Sequence, residues 1–126
     1  MPLKVDSLIT NQLTVAGESV GPKYKVYTAL LTQTGTTAPV ATVLENTLDL
    51  NPTYYYDSTG AYRLEDLSGL LTTNKTFVLA TGNGGGGVSV TINDTTTIEI
   101  NSINMYSGDA QDDMFLNTPI EIRVYN

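Results

Sequence analysis

From Tyr24 onward the chain is cut into short runs of alternating apolar residues, and this rhythm leaves a layered β-structure as the fold to expect. In YKVYTALLTQ, Tyr24, Val26, Thr28 and Leu30 fall on one face, and Lys25, Tyr27, Ala29 and Leu31 on the other, because side chains alternate across a strand. Both faces carry apolar residues, so the pattern predicts cover on both sides of this strand. Further runs follow: VATVLENTL, centred on Val43 and Leu44, then 54–56, 61–65, 76–80, 88–92, 97–103 and 120–125. Turn signals separate them, among them NP at 51–52, DSTG at 57–60, ND at 93–94 and NTP at 117–119. Strands this short and this evenly punctuated predict an all-β chain, an antiparallel β-sandwich of jelly-roll-like form with about eight strands. LEDLSGLL and DAQDDMF each have room for one helical turn, too short for a covering helix.

Composition points the same way. Twenty Thr and eight Tyr favour strands, while eleven Gly and ten Asn favour turns. The 126 residues suit one domain with a core of its own. Residues 1–22 stand apart as an extended N-terminal arm, with 23–126 forming the sandwich domain. In the arm Leu3, Val5, Leu8, Leu13 and Val15 are spaced among polar residues, and Gly21-Pro22 closes it. A short strand at 12–16 with a turn at Gly17 fits. Such a segment has too little apolar surface to fold alone. It either docks on a partner, with Leu8, Leu13 and Val15 as anchoring side chains, or adds an edge strand to the domain.

The net charge of −7, six basic residues against thirteen acidic, argues against a nucleic-acid partner. Such a groove needs clustered Lys and Arg, and Lys4, Lys23, Lys25, Arg63, Lys75 and Arg123 are scattered. No run approaches the roughly 18 apolar residues of a membrane span, and MPLKVDSLIT lacks the apolar centre of a signal peptide. Synthesis and assembly in a cytoplasm are therefore expected. The sequence has no Cys and no His, which removes disulfides, thiolate metal sites and the commonest general base.

Four motifs deserve a chemical test. TGNGGGGVSV places Gly82, Gly84 and Gly87 on a G-x-G-x-x-G pattern, but VSVTI follows as a strand. A phosphate cradle needs a helix N-terminus there, so a hairpin loop between two strands is expected instead. Asp109, Asp112 and Asp113 are weak candidates for a calcium loop, lacking EF-hand spacing; a solvated acidic loop is the favoured reading, and no cofactor is expected. Glu65 and Asp66 are adjacent, so on a strand they face opposite ways and cannot flank one glycosidic bond. Nothing singles out a partner for either among Glu45, Asp57, Glu99 and Glu121, so no catalytic residues are expected. Tyr54, Tyr56 and Tyr62 form a candidate glycan platform on one strand face, against the plainer reading of tyrosines filling a core or an interface.

The stretch YKVYTALLTQTGTTAPVATVLENTL, Tyr24 to Leu48, resembles a segment recurring in small structural proteins of tailed bacteriophages. The likeness continues through YYYDSTGAY and ends in NTPIEIRVYN. In that family a Gly and then a Trp tend to follow ENTL; here DLNPTYYY stands in that place. NQLTVAGESV is similar to the LTV-x-G units near the base of phage fibres. The resemblance implies a non-enzymatic virion protein assembled in the host cytoplasm, of the capsid auxiliary or head-fibre type. It implies a homotrimer, attached to a capsid or other virion protein through residues 1–22. The alternative it leaves open is a carbohydrate-binding host-attachment domain of a tail or fibre appendage.

Overall fold

The computed structural model describes residues 21–66, 68–82 and 86–126, and the backbone of two short strands between 14 and 19. Strands β1 (Thr14–Val15) and β2 (Glu18–Ser19) pair with each other. The rest of the expected arm before Gly21, and the anchoring side chains of Leu8, Leu13 and Val15, lie outside the described residues. Eight longer strands follow: β3 (Tyr24–Thr32), β4 (Val40–Asn46), β5 (Thr53–Ser58), β6 (Ala61–Glu65), β7 (Thr76–Ala80), β8 (Gly86–Ile92), β9 (Thr97–Asn104) and β10 (Thr118–Tyr125). They form two four-stranded antiparallel sheets, ordered β4-β3-β10-β7 and β5-β6-β9-β8. The chain is all-β, a sandwich.

Three connections are local hairpins, β3–β4, β5–β6 and β8–β9; the connections β4–β5, β6–β7, β7–β8 and β9–β10 cross from one sheet to the other. The first and last strands of the sandwich pair along eight residues, Tyr24↔Tyr125 to Leu31↔Thr118. The glycine-rich stretch is one of the crossings. It carries the chain from β7, at the edge of one sheet, to β8, at the edge of the other, and so is not the hairpin expected from its flanking strands. Neither expected helical turn is present among the described residues. The Asp66 carboxylate accepts from the N–H groups of Ser68 and Asn51, and Asp112 accepts from the N–H of Gly60. Side chains that tie their segments to other loops in this way compete with local helical bonding.

The core lies between the sheets. Tyr27, Ala29 and Leu31 of β3, with Ile120 and Ile122 of β10, face Tyr62 and Leu64 of β6 and Ile98 and Ile100 of β9. The crossings add Leu48, Leu50, Leu71 and Phe115. Full burial of each large side chain contributes about 1.5–3 kcal/mol. Across this layer the Tyr27 and Tyr54 hydroxyls sit 3.1 Å apart, joining β3 to β5. Only half of the two-sided cover expected for β3 is supplied by this second sheet. On the other face Val26 is buried and Tyr24, Thr28 and Leu30 are half-buried, and the described residues place no further strand or helix over them.

Ile100 sits at the centre of this layer, paired with Tyr62 on one side and Val90 on the other, and is fully buried. Ile100→Ala is expected to lower unfolding free energy by about 2–5 kcal/mol. Val40→Ala, at a site 70% exposed, should change it by less than about 0.5 kcal/mol. Urea unfolding followed by tyrosine fluorescence measures both.

Candidate assembly surface

Strand register decides which side chains leave the sandwich. β10 pairs with β3 as Arg123↔Val26, Glu121↔Thr28 and Pro119↔Leu30, and with β7 as Arg123↔Phe77 and Glu121↔Leu79. These rows point away from the core, because the rows between them hold buried Ile120 and Ile122. On β4 the register shifts opposite Thr28 and Ala29, and Leu44 joins the same side. The outcome is an apolar outer face, with Leu44 63% exposed near one edge and Phe77 and Leu79 46% and 49% exposed near the other. Between them lies a hollow of about 290 Å³ lined by Thr28, Leu44, Leu79, Pro119 and Glu121. A second hollow shares Thr28 and Glu121 and extends to Pro22, so the groove runs toward the root of the N-terminal arm. Arg123 pairs with Glu121 and lies over the rings of Tyr24, at 4.5 Å, and Phe77, at 5.7 Å. Glu121 and Arg123 thus neutralise each other, while Glu45, opposite Thr28 on the same side, forms no ion pair among the described residues. Contiguous exposed apolar side chains of this kind make the face a candidate interaction surface.

The opposite outer face has a different chemistry. β5 presents Thr53, Tyr55 and Asp57; β6 presents Arg63 and Glu65; β9 presents Thr97, Glu99 and Asn101; and β8 presents Ser89 and Thr91. Arg63 is held between Asp57 and Glu65. The sandwich therefore has one apolar and one polar outer face.

The residues singled out for chemistry from the sequence fall elsewhere. Tyr54 and Tyr56 share a strand face, as their spacing requires, and Tyr62 joins them through its pairing with Tyr56, but that face is the inner one. Tyr62 is fully buried, and its hydroxyl lies 2.9 Å from Gln33 Oε1 and 3.0 Å from Asp112 Oδ1, its single proton shared between these two acceptors. Tyr56 donates to Asp112 Oδ2 at 2.9 Å. These three rings fill the core and cannot form an exposed glycan platform; the ring that β5 offers to solvent is Tyr55. Asp109, Asp112 and Asp113 do not converge either. Asp112 serves the tyrosines and Gly60, Asp113 Oδ1 accepts from the N–H of Gly35 at 2.6 Å, and among the described residues no cluster of three acidic side chains is placed to hold a metal. Glu65 turns outward to Arg63, while Asp66 is buried and accepts from Ser68 and Asn51.

The glycines serve close packing. A Cβ on Gly82 would stand 1.9 Å from the Gly86 carbonyl oxygen, and one on Gly87 would stand 3.0 Å from Ile103 Cγ1. Gly60, at φ +67°, turns the β5–β6 hairpin where a Cβ would meet the Ser102 carbonyl oxygen at 2.5 Å. Its carbonyl accepts from the Ser102 N–H at 2.8 Å, and its own N–H donates to Asp112 Oδ1 at 2.8 Å. Gly60, Asp112, Tyr62 and Gln33 thus form one knot linking the β5–β6 turn, the segment before β10 and the end of β3. Its members are up to 80 residues apart, as in the bond from the Asp113 N–H to Gln33 Oε1, so no local pattern announces it.

No protein-family model matches this chain, and no curated protein and no solved structure matches it.

Burial pushes the Asp112 carboxyl up, but the donors from Gly60, Tyr56 and Tyr62 outweigh it and hold the group below the usual carboxylate range. Asp66 is held low in the same way, with Ser68 and Asn51 outweighing burial. A carboxylate depressed on folding contributes stability above its unfolded pKa of about 3.9, and loses it as pH falls through the folded value. Stability should therefore be level near neutral pH and fall below about pH 4. Asp112→Asn should lower the melting temperature at pH 7 and make the acid decline shallower. Melting curves from pH 7 to pH 2 check both; an unchanged acid slope in the variant would contradict the assignment.

Proposed function

We propose that this protein is a non-enzymatic virion structural protein, a capsid-associated auxiliary or head-fibre protein that self-associates as a homotrimer and is attached through residues 1–22. The observation that carries the assembly part of this reading is the apolar outer face of the β4-β3-β10-β7 sheet. Its hollow between Leu44 and Leu79 and its internally neutralised Glu121–Arg123 pair suit it to burial against another copy. Burying Leu44, Phe77 and Leu79 gains apolar transfer energy with Glu121 and Arg123 already paired, while Glu45, opposite Thr28 on the same face, has to stay at the solvated rim of the contact. The groove on this face reaches Pro22, where the arm joins, so attachment and self-association would share one side of the domain. Placement in a virion rests on the resemblance of Tyr24–Leu48 to tailed-phage structural proteins. Many copies on one particle would add avidity to weak individual contacts.

Native mass spectrometry tests the assembly claim. The expected result is a species of three 13.5 kDa chains that the double variant Leu44→Asp, Leu79→Asp converts to monomer. Both positions are exposed, so each substitution should cost less than about 1 kcal/mol of fold stability. A wild-type monomer at high concentration would defeat the trimer. Immunogold labelling of particles carrying the gene tests placement, and unlabelled virions would defeat it.

A further inference from the structure

The polar outer face holds a hollow that the assembly reading does not use. Tyr55 is the aromatic ring that β5 turns to solvent, 38% exposed. It is held in place from across the strand pair. Arg63 lies opposite it in register, with its guanidinium carbon 4.1 Å from the ring centroid. Arg63 is in turn gripped by Asp57 and Glu65, so the stacked cation has little freedom to swing. Beside this ring opens a hollow of about 360 Å³, lined by Asp49, Asn51, Thr53, Glu65, Asp66 and Ser68 together with Tyr55. That volume is within the range of sites for small organic ligands, about 300–1,000 Å³.

The walls are fixed before any ligand arrives. Buried Asp66 accepts from the Asn51 N–H at 3.1 Å and the Ser68 N–H at 2.8 Å. One carboxylate therefore ties the segment entering β5 to the segment leaving β6. Above this floor the side chains of Asp49, Asn51 and Thr53 make no hydrogen bond with any described residue. They supply a carboxylate acceptor, an amide that both donates and accepts, and a hydroxyl. A fixed aromatic ring beside convergent, uncommitted polar groups is what a polyhydroxylated ring requires: its C–H face packs on the aromatic face, and its hydroxyls exchange hydrogen bonds with the rim. Charge narrows the class. Asp49, Glu65 and Asp66 stand around the hollow, and the nearby cation Arg63 is already paired twice. A uronate, sialate or phosphate would meet like charge.

We propose that the hollow beside Tyr55 binds a neutral pyranose unit of an oligosaccharide, with Tyr55 as the stacking platform and Asp49, Asn51 and Thr53 as its polar contacts. The site is on the opposite sheet from the assembly surface, so it stands or falls independently of the trimer.

The full chain, labelled with ¹⁵N, would be titrated with maltohexaose, cellohexaose and chitohexaose, and with tri-galacturonate and sialyllactose as anionic probes. At least one neutral oligosaccharide should shift the amide resonances of Asn51, Thr53, Tyr55 and Ser68, while the anionic probes leave them in place. Tyr55→Ala should weaken that binding at least about tenfold, the loss typical of removing one stacked ring. Tyr55→Phe keeps the ring and should bind within about threefold of wild type. Asn51→Ala, whose side chain makes no hydrogen bond with any described residue, provides a second variant and should also weaken binding. The proposal is overturned if no neutral probe shifts these amides, if the anionic probes bind more tightly, or if Tyr55→Ala and Asn51→Ala bind as wild type does.

Discussion

Eight consecutive residue pairs, from Tyr24↔Tyr125 to Leu31↔Thr118, join the first long strand to the last, and everything else in the molecule inherits its direction from them. A slip of one residue would turn every side chain of β3 to the other face. In the observed register Tyr27, Ala29 and Leu31 meet Ile120 and Ile122 in the core. Val26, Thr28 and Leu30 line up outside with Pro119, Glu121 and Arg123. The same pairing that builds the core thus also builds the apolar outer face. Neither could be removed from the sequence without rewriting the other, because both are carried on the alternating positions of the same two strands.

Strand positions were legible because alternation is local. The expected runs 61–65 and 76–80 match β6 and β7, and the others differ from the observed strands by a few residues at their ends. Sheet partnership was not legible in this way. TFVLA and VSVTI on either side of the glycine run look like hairpin arms, yet they belong to different sheets. What separates them is their pairing with β10 and β9, which lie far along the chain. The tyrosines show the same limit at a site. Period two correctly put Tyr54 and Tyr56 together and Tyr55 opposite; which face was inner depended on β6 and β9. The Asp112 knot left no trace at all in the sequence, since it joins residues from three distant segments. The one early sign of the outer face was β3 itself, apolar on both sides.

Unlike outer faces would let a sandwich divide its work between them. Burying the β4-β3-β10-β7 face against another copy would cover Leu44, Phe77 and Leu79, and would leave the β5-β6-β9-β8 face turned outward. That second face is where hydrogen-bonding groups and the Tyr55 ring collect. In such an arrangement one side holds the assembly together and the other meets whatever lies outside it. The inward carboxylates Asp66 and Asp112 fix the loops that shape both ends of the polar sheet, through bonds within one chain.

We propose that the apolar outer face is covered when copies associate and that the polar face is not. Hydroxyl-radical footprinting with mass spectrometry, performed on one sample at assembling concentration and after dilution, reads this residue by residue. The account predicts that Leu44, Phe77, Leu79 and Tyr125 are protected in the concentrated sample and react on dilution, while Tyr55 reacts equally in both. Equal reactivity of Leu44, Phe77 and Leu79 at the two concentrations, or protection centred on Tyr55, would contradict it.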